Sequence, residues 1–259
     1  MSVSVLLAPR WNHAAGLALV AGLGPFCAGL SGDAVIHAGR NVLYRCGTLG
    51  ETVVIKRFQV RGNRWKRLTD RVGDGKALRT FRIAEELIAR GLDTPEPLAA
   101  YERREGAALV EAWYVCADQP NAGTVRDLLR ADNPGRLAHI QRFGTWAAQV
   151  HDVGVLHRDF NSANVLLVPR GDGTFTHSLV DLNRIGFGAV GVVAGLYNLL
   201  QPGFFTADEA GALLDGYIPA RREALGDFDR AAYQALACIH RAHWALKKAS
   251  RPWRRRVGF

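Results

Sequence analysis

The sequence predicts an α+β fold with two lobes, a small β-rich N-terminal lobe and a mostly helical C-terminal lobe. Short β-prone runs bounded by turn residues lie within residues 34–58 and 94–113. Helical periodicity dominates residues 136–153 and 189–259. Between these helical stretches, residues 165–180 contain two apolar runs joined by Gly- and Asp-rich turn residues, which is the pattern of a β-hairpin.

The composition indicates a globular protein with an acidic partner. Of the 259 residues, 48% are hydrophobic and 22% are charged, which is enough for a sizeable core. The four cysteines are scattered, which argues against a zinc site or a disulfide framework and fits a reducing compartment. The net charge of +9 predicts a partner that carries phosphates, an anionic membrane surface or nucleic acid.

Residues 14–30 form an uncharged run near the N-terminus. A signal peptide or a short membrane span is one interpretation. The run is rich in glycine, contains Pro25, is at the short limit for a span, and has only Arg10 upstream as a basic residue. These features favour a buried helix that packs on the first lobe.

Three short strands are predicted next, at Ala34–His37, Val42–Cys46 and Thr52–Phe58. The third strand contains Lys56 among apolar residues, where an unpaired ammonium group is costly. Either this lysine binds an anionic group, or it faces solvent on an edge strand.

A basic stretch, residues 57–82, follows the third strand and contains Trp65. It is either a solvated helix face or a surface that meets a phosphorylated or membrane-bound acceptor. A helix is predicted at Lys76–Arg90, with Gly91 just beyond its end. Its apolar stripe is formed by four side chains, Ala77, Phe81, Ala84 and Ile88, and Leu87 flanks it.

Two glutamates of this helix are candidate acidic partners for a lysine of the sheet. Glu86 falls on the polar side near Arg82 and Arg90, where an i, i+4 pair explains it. Glu85 lies at the edge of the apolar stripe, so it is the preferred candidate to point inward.

The stretch HRDFNSANVLL begins at His157 and leads into the predicted hairpin, and Asp181 stands at the end of the second hairpin strand. The pattern H-R-D-x-x-x-x-N is that of the kinase catalytic loop, with Asp159 placed to accept a hydroxyl proton. Asn164 and Asp181 offer the hard oxygen ligands that Mg²⁺ prefers. The alternative is that these side chains only cap turns between strands.

The chain resembles the bacterial lipopolysaccharide kinase family, the Kdo/heptose kinases of the protein-kinase-like superfamily. Five segments carry the resemblance: GRNV (39–42), VVIKRF (53–58), KALRTFRIAEELIARGLDTPEPLA (76–99), HRDFNSANVLL (157–167) and DLNRIGF (181–187). The resemblance implies a bilobal protein-kinase-like fold that uses ATP and Mg²⁺. Lys56 would bind phosphates with Glu85 as its partner, Asp159 would be the base, and Asn164 and Asp181 would hold the metal.

The chain departs from protein kinases in three places. Asp181-Leu182-Asn183 replaces the D-F-G triplet, no A-P-E segment follows, and Thr80 stands where related phosphotransferases often carry the helix glutamate. By this resemblance residues 1–109 form the nucleotide-binding lobe, 110–116 the hinge and 117–259 the catalytic lobe.

The expected function is ATP-dependent phosphorylation of a sugar hydroxyl on lipopolysaccharide core or a related glycolipid. The alternatives are a kinase for a soluble small molecule or a protein, and a nucleotide-binding pseudokinase scaffold. The expected partners are ATP, a lipid-linked sugar acceptor and an anionic membrane surface. Nucleic acid is not expected, because the sequence has no DNA-reading motif or aromatic platform. The predicted location is cytoplasmic, with peripheral contact to the inner membrane through residues 57–82 and the basic C-terminal tail.

Overall fold

The computed structural model describes residues 1–60, 74–130, 134–171, 174–204 and 206–256, with only the backbone at 128–130 and 243–256. The chain divides into two compact units. The first comprises residues 1–122 and 178–183, and the second comprises residues 123–177 and 184–259.

The first unit is built on a six-stranded sheet with the order β1-β5-β6-β4-β3-β2. Neighbouring strands are antiparallel throughout. The strands, in chain order, are β1 (Ser2–Leu7), β2 (Val35–Ala38), β3 (Val42–Thr48), β4 (Glu51–Arg57), β5 (Pro97–Glu105) and β6 (Ala108–Ala117). The three strands predicted within residues 34–58 are therefore confirmed as β2, β3 and β4, with shifts of one or two residues at their ends. The last predicted run ends at residue 113, whereas β6 continues to Ala117.

The hinge predicted at residues 110–116 lies inside β6, which runs unbroken from Ala108 to Ala117. The division between the units falls after Ala122 instead. The reason is that residues 113–116 pair with both β4 and β5, and this pairing makes β6 a central strand of the sheet.

The uncharged run near the N-terminus forms two short helices, α1 (Ala14–Ala21) and α2 (Leu23–Ala28). Val20, Leu23 and Cys27 are buried in one core cluster with side chains of the sheet, among them Ile55 and Trp113. The predicted packing on the first lobe is confirmed, although the run is two helices rather than one. In the part of the chain that the structure describes, no helix is long and apolar enough to cross a membrane.

The helix predicted after the basic stretch is present as α3 (Lys76–Ala89), and Gly91 beyond its end has a φ of +75°. Most of the predicted stripe is buried, but Ile88 is 46% exposed, so its assignment to the core is wrong. Buried Thr80 and Ile83 extend the core face away from Ile88.

A buried carboxylate of the sheet caps the start of α3. Glu102 accepts hydrogen bonds from the backbone N–H groups of Gly75, Ala77 and Leu78, at 3.0, 2.8 and 3.3 Å. These are N–H groups that the helix itself leaves unpaired, and a negative charge is favourable at this end of a helix. A Cβ at position 75 would collide with this carboxylate, so a larger residue there would displace the capping group.

The second unit is mostly helical, as predicted. Its helices are α4 (Val125–Arg130), α5 (Arg136–Asp152), α6 (Val192–Asn198), α7 (Ala207–Ala220) and α8 (Asp227–Arg256). Helices α5 and α7 pack closely because Gly144 and Gly216 each leave room for backbone atoms of the facing helix. A Cβ at either position would collide with that backbone.

Short strands support the loops of the second unit. They are β7 (Gly123–Thr124), β8 (Val155–His157), β9 (Val165–Pro169), β10 (Phe175–Leu179) and β11 (Ile185–Phe187). One small sheet has the order β10-β9-β7, and β8 pairs with β11 in another. The predicted hairpin is therefore present as β9 and β10, the last two residues of which belong to the first unit.

The two basic surfaces lie mainly outside the described residues. Residues 61–73, which include Trp65, are not described. The C-terminal tail continues α8 to Arg256, but its side chains from residue 243 onward are not described. The membrane contact predicted for these surfaces stays a prediction.

Candidate active site

Lys56 lies on β4 of the first unit and forms an ion pair with Asp181. Its Nζ is 2.6 Å from Asp181 Oδ1, and its side chain is only 13% exposed. The same Nζ is 5.1 Å from the centre of the Phe58 ring. Of the two interpretations of this lysine, the structure supports the one in which it binds an anionic group.

The glutamate predicted to point inward does not do so. Glu85 is exposed, and the acidic side chain in contact with Lys56 is that of Asp181. Glu85 therefore lies on the exposed side of α3, whereas its position at the edge of the apolar stripe had predicted the buried side. Glu86 forms the expected pair with Arg90, at 2.7 Å.

The backbone holds Asp181 in an unusual conformation. Its φ is +55°, in the left-handed region that residues other than glycine adopt at some energetic cost and in which aspartate is enriched. The strand before it is fixed at Leu179, the N–H of which donates to Asp93 O at 2.9 Å. The carbonyl of Leu179 accepts from Thr94 Oγ1 at 2.8 Å. These contacts fix the turn that presents Asp181 to Lys56.

Thr80 links α3 to the segment that follows Asp181. Its buried hydroxyl contacts Asn183 Oδ1 at 3.2 Å and the carbonyl of Lys76 at 2.7 Å. Thr80 stands where related phosphotransferases often carry a glutamate. Here α3 contacts the 181–183 segment through a neutral hydrogen bond, and the lysine takes its acidic partner from that segment.

Asp159 follows β8 in the second unit, on a compact loop closed by Asn164. Asn164 Nδ2 donates to the carbonyl of Asp159 at 2.8 Å, so the two predicted residues are in contact. Asn161, which the sequence did not single out, donates from Nδ2 to Asp159 Oδ1 at 3.0 Å. The second carboxylate oxygen is 3.6 Å from Nη1 of Arg184. The carboxylate is thus oriented by one amide and one guanidinium.

A buried polar network supports this loop from behind. The N–H of Asp159 donates to Nδ1 of buried His157, at 3.1 Å. The His157 carbonyl accepts from Asn198 Nδ2 at 3.0 Å, which leaves Asn198 Oδ1 to accept from His151 Nε2 at 3.1 Å. His151 Nδ1 then accepts from the Tyr217 hydroxyl at 2.8 Å. The network ties α5, α6 and α7 to the strand that carries the loop.

The network requires a neutral His151. Burial lowers the pKa of this imidazole from 6.5 to about 4, with the hydrogen bond to Asn198 opposing the shift. Burial likewise lowers the pKa of His177, to about 4. Both groups stay unprotonated in the folded protein at pH values where the unfolded chain binds protons.

We therefore expect the folded protein to lose stability between about pH 6.5 and pH 4, because the unfolded state binds more protons over that range. For His151, this pKa shift corresponds to a loss of roughly 3 kcal/mol in the free energy of unfolding once the pH has fallen to about 4. The free energy of unfolding from urea titrations at several pH values measures this loss. His151→Gln should reduce the pH slope, while His37→Gln, at an exposed position of β2, serves as the matched control. An unchanged slope for His151→Gln would contradict the assignment.

The two-unit α+β chain, with a lysine–aspartate pair on its sheet and an aspartate–asparagine loop in its helical unit, has the architecture of the protein-kinase-like class. The model of the Lipopolysaccharide kinase (Kdo/WaaP) family matches residues 46–187, more than half of the chain. The chain belongs to this family, and the matched range contains Lys56, Asp159, Asn164 and Asp181.

Curated relatives agree with this membership. A 3-deoxy-D-manno-octulosonic acid kinase of Xanthomonas oryzae pv. oryzae (strain PXO99A) is 32% identical over 148 residues, which are 56% of this chain and 53% of the relative. The enzyme of the same name from Xanthomonas euvesicatoria pv. vesicatoria (strain 85-10) is 33% identical over 112 residues, 43% of this chain and 42% of the relative. The match thus spans about half the length of these relatives.

The solved structure described as WaaP in complex with acyl carrier protein superposes with a TM-score of 0.57 at 20% identity. The superposition covers 92% of this chain and 97% of that one. This likeness confirms the predicted α+β, protein-kinase-like fold.

Proposed function

We propose that this protein transfers the γ-phosphate of ATP to a sugar hydroxyl of lipopolysaccharide core or a related glycolipid. The observation that carries the proposal is the family match over residues 46–187. The four polar residues expected from the kinase pattern, Lys56, Asp159, Asn164 and Asp181, fall within this range.

Asp159 is proposed as the general base. The hydroxyl of the acceptor gives its proton to the Asp159 carboxylate as the oxygen attacks the γ-phosphorus, and ADP leaves. Asn161 holds one carboxylate oxygen at 3.0 Å, so it is a positioning residue for this base. The network that reaches the loop through His157 and Asn198 fixes the backbone of the base.

Lys56 is proposed to bind phosphate oxygens of the nucleotide. An ammonium group that is largely buried needs an anionic partner, and Asp181 supplies it at 2.6 Å. The phosphates of ATP would be further anionic partners, and the Lys56 ammonium would donate hydrogen bonds to their oxygens. Glu85 is exposed and is not proposed to take part.

Asn164 and Asp181 are proposed to hold Mg²⁺ together with phosphate oxygens and water. Their donor set fits, because one carboxylate and one amide oxygen are the few hard ligands that Mg²⁺ takes from a protein in nucleotide sites. The amide nitrogen of Asn164 donates to the Asp159 carbonyl, so the amide oxygen is the atom proposed as the ligand. Among the described residues, no group of three or more His, Cys, Asp or Glu side chains could hold a metal alone. Bound there, the ion would neutralise charge on the transferred phosphoryl group.

The test of the proposed function is a transfer assay from γ-labelled ATP to extracted core lipopolysaccharide, with and without Mg²⁺. Mass spectrometry of the lipid should show a gain of one phosphate that requires the metal. Phosphorylation of a soluble metabolite or a protein, without label in the lipid, would support a kinase for another acceptor. Nucleotide binding without any turnover would identify a pseudokinase scaffold.

The basic tail is proposed to hold the protein on an anionic membrane from its cytoplasmic side. Residues 247–259 carry six Lys or Arg side chains together with Trp253 and Phe259. Each basic residue near an anionic bilayer contributes about 1 kcal/mol at moderate ionic strength. A protein truncated after Leu246 should therefore bind anionic vesicles much more weakly, and high salt should release the full chain.

Co-sedimentation with vesicles that contain anionic lipid measures this binding, with neutral vesicles alongside. A shorter truncation that removes only residues 257–259 is the matched control, because it retains all six basic side chains. Transfer to a short soluble sugar should change little in either truncated protein. Equal sedimentation of the protein truncated after Leu246 and the full chain would refute docking by the tail.

A further inference from the structure

Arg184 places a positive charge beside the proposed base. Its Nη1 is 3.6 Å from Asp159 Oδ2, which is close enough for an ion pair but too long for a good hydrogen bond. In the described part of the chain, the guanidinium makes this ion pair and no hydrogen bond, and the side chain is 58% exposed. Its N–H donors are therefore available to a ligand that binds at the base.

The backbone of Arg184 is fixed next to the loop that carries the base. Strands β8 and β11 are antiparallel, with His157 opposite Ile185. One residue away from that pair, the N–H of Arg158 donates to the carbonyl of Arg184 at 3.0 Å. Arg184 and Asp159 both belong to the second unit, so this unit by itself determines where the positive charge lies relative to the base.

The neighbouring contacts of the base come from uncharged amide and imidazole groups. Asn161 Nδ2 donates to Asp159 Oδ1 at 3.0 Å, and Asn164 Nδ2 donates to the Asp159 carbonyl at 2.8 Å. The N–H of Asp159 donates to the imidazole of His157 at 3.1 Å. Among the described residues, Arg184 is thus the cationic side chain in contact with the carboxylate.

The proposed reaction brings the transferred phosphoryl group within reach of this guanidinium. A general base lies about 2.6–3.2 Å from the hydroxyl that it deprotonates, and reacting atoms lie about 3–3.5 Å apart before they react. The phosphoryl oxygens are then roughly 4–6 Å from the Asp159 carboxylate. Because Arg184 already contacts that carboxylate, a rotation of its side chain can bring an N–H group to a phosphoryl oxygen.

The movement of charge during transfer favours this second contact. The O–H bond of the acceptor breaks as its proton passes to Asp159, the bond from its oxygen to the γ-phosphorus forms, and the bond to the ADP oxygen breaks. The protonated Asp159 is neutral, so the negative charge beside Arg184 passes to the phosphoryl group. A guanidinium fork is suited to phosphoryl oxygens, and a contact that strengthens in the transition state raises the rate.

We propose that Arg184 is a further catalytic residue, which donates hydrogen bonds to the transferred phosphoryl group in the transition state. The inference rests on the proposed function and adds a residue to its reaction. The competing interpretation is that Arg184 is a positioning residue that acts only through Asp159. The two interpretations differ in whether Arg184 still has an effect once the Asp159 carboxylate is absent.

Calorimetry on the full chain measures the binding of ADP and Mg²⁺ with and without aluminium fluoride, which mimics the phosphoryl group in transfer. The wild-type protein should bind ADP at least about 100-fold more tightly when the fluoride is present. Arg184→Gln should reduce this gain roughly 100-fold and leave the affinity for ADP alone close to wild type. Arg184→Lys, which keeps the charge but loses the fork, should reduce the gain roughly 10-fold. Arg142→Gln, at an exposed position of α5, is the matched control and should keep the full gain.

The double variant Asp159→Asn/Arg184→Gln separates the two interpretations. A residue that contacts the phosphoryl mimic directly should weaken its binding by a similar factor in the Asp159→Asn protein and in the wild type. A residue that acts only through the carboxylate should have no effect in the Asp159→Asn protein. Thermal unfolding establishes that each variant is folded, and Arg184→Lys provides a second route if Arg184→Gln is unstable.

Three results would each overturn the assignment of Arg184. They are the absence of any fluoride gain in the wild-type protein, an equal loss of affinity with and without fluoride, and no effect of Arg184→Gln in the Asp159→Asn protein. A fluoride gain that depends on Arg184, without label in the lipid in the separate transfer assay, would refute the proposed acceptor and leave the role of Arg184 standing.

Discussion

Asp159→Asn should abolish phosphate transfer while the fold and the nucleotide affinity stay close to wild type. The amide has the shape of the carboxylate and can still accept the hydrogen bond that Asn161 donates at 3.0 Å. It cannot accept the proton of the acceptor hydroxyl. Loss of a general base costs about 10²–10⁴-fold in rate. Single-turnover transfer from labelled ATP measures this loss, and calorimetry with ATP measures the affinity.

A matched control for this variant is Asp215→Asn on α7. Asp215 is an aspartate of the same unit and forms an ion pair with Arg230 at 2.8 Å. This change also removes one negative charge, so it corrects for a general electrostatic effect on the rate. Turnover near the wild-type level in Asp159→Asn would remove Asp159 from the mechanism.

The secondary structure was largely predictable because each element carries a local signal. The hairpin follows from its turn residues, and α3 follows from its apolar stripe and from Gly91 beyond its end. The break between α1 and α2 falls at Gly22, one glycine among several in an apolar run without a distinguishing pattern. The division after Ala122 was not predictable, because it depends on which side chains pack together across the whole sequence.

The candidate site likewise has one part that the sequence predicts and another that it does not. The motif spacing predicts that Asp159 and Asn164 lie on one loop, and the structure shows that loop with the two residues in contact. The network that supports this loop depends on long-range contacts. His151 contacts Tyr217, 66 positions away, and Asn198, 47 positions away. Nothing in the local pattern specifies these contacts.

Glu85 shows a different limit of sequence reasoning. Helical periodicity predicts which face of a helix a residue occupies. A residue at the edge of the apolar stripe, however, is compatible with both the buried and the exposed face. The burial of Thr80 and Ile83 rotates the core face away from Glu85. The Thr80 hydroxyl then meets Asn183, 103 positions away, and that contact was not visible in the sequence.

Asp181→Ala should remove Mg²⁺-dependent ATP binding. The change deletes the only carboxylate among the proposed metal ligands and takes from the largely buried Lys56 ammonium the partner that lies 2.6 Å away. Loss of groups that merely orient metal ligands costs 10- to 100-fold in affinity, so loss of a ligand should weaken Mg-ATP binding by about 10²-fold or more. Calorimetry with Mg-ATP and with ATP plus chelator should show that the metal no longer improves affinity.

The backbone of Asp181 calls for a second variant, because alanine at a φ of +55° loses the tolerance that aspartate and asparagine have for the left-handed region. Asp181→Asn keeps that tolerance and most of the side-chain shape, and it removes only the charge. If the charge is what the metal needs, Asp181→Asn should lose most of the Mg²⁺ effect while it unfolds at nearly the wild-type temperature. If strain alone is responsible, Asp181→Asn should bind Mg-ATP normally and only Asp181→Ala should be unstable. Equal affinity of wild type and Asp181→Ala for Mg-ATP would mean that Asp181 is simply an aspartate at the end of a strand.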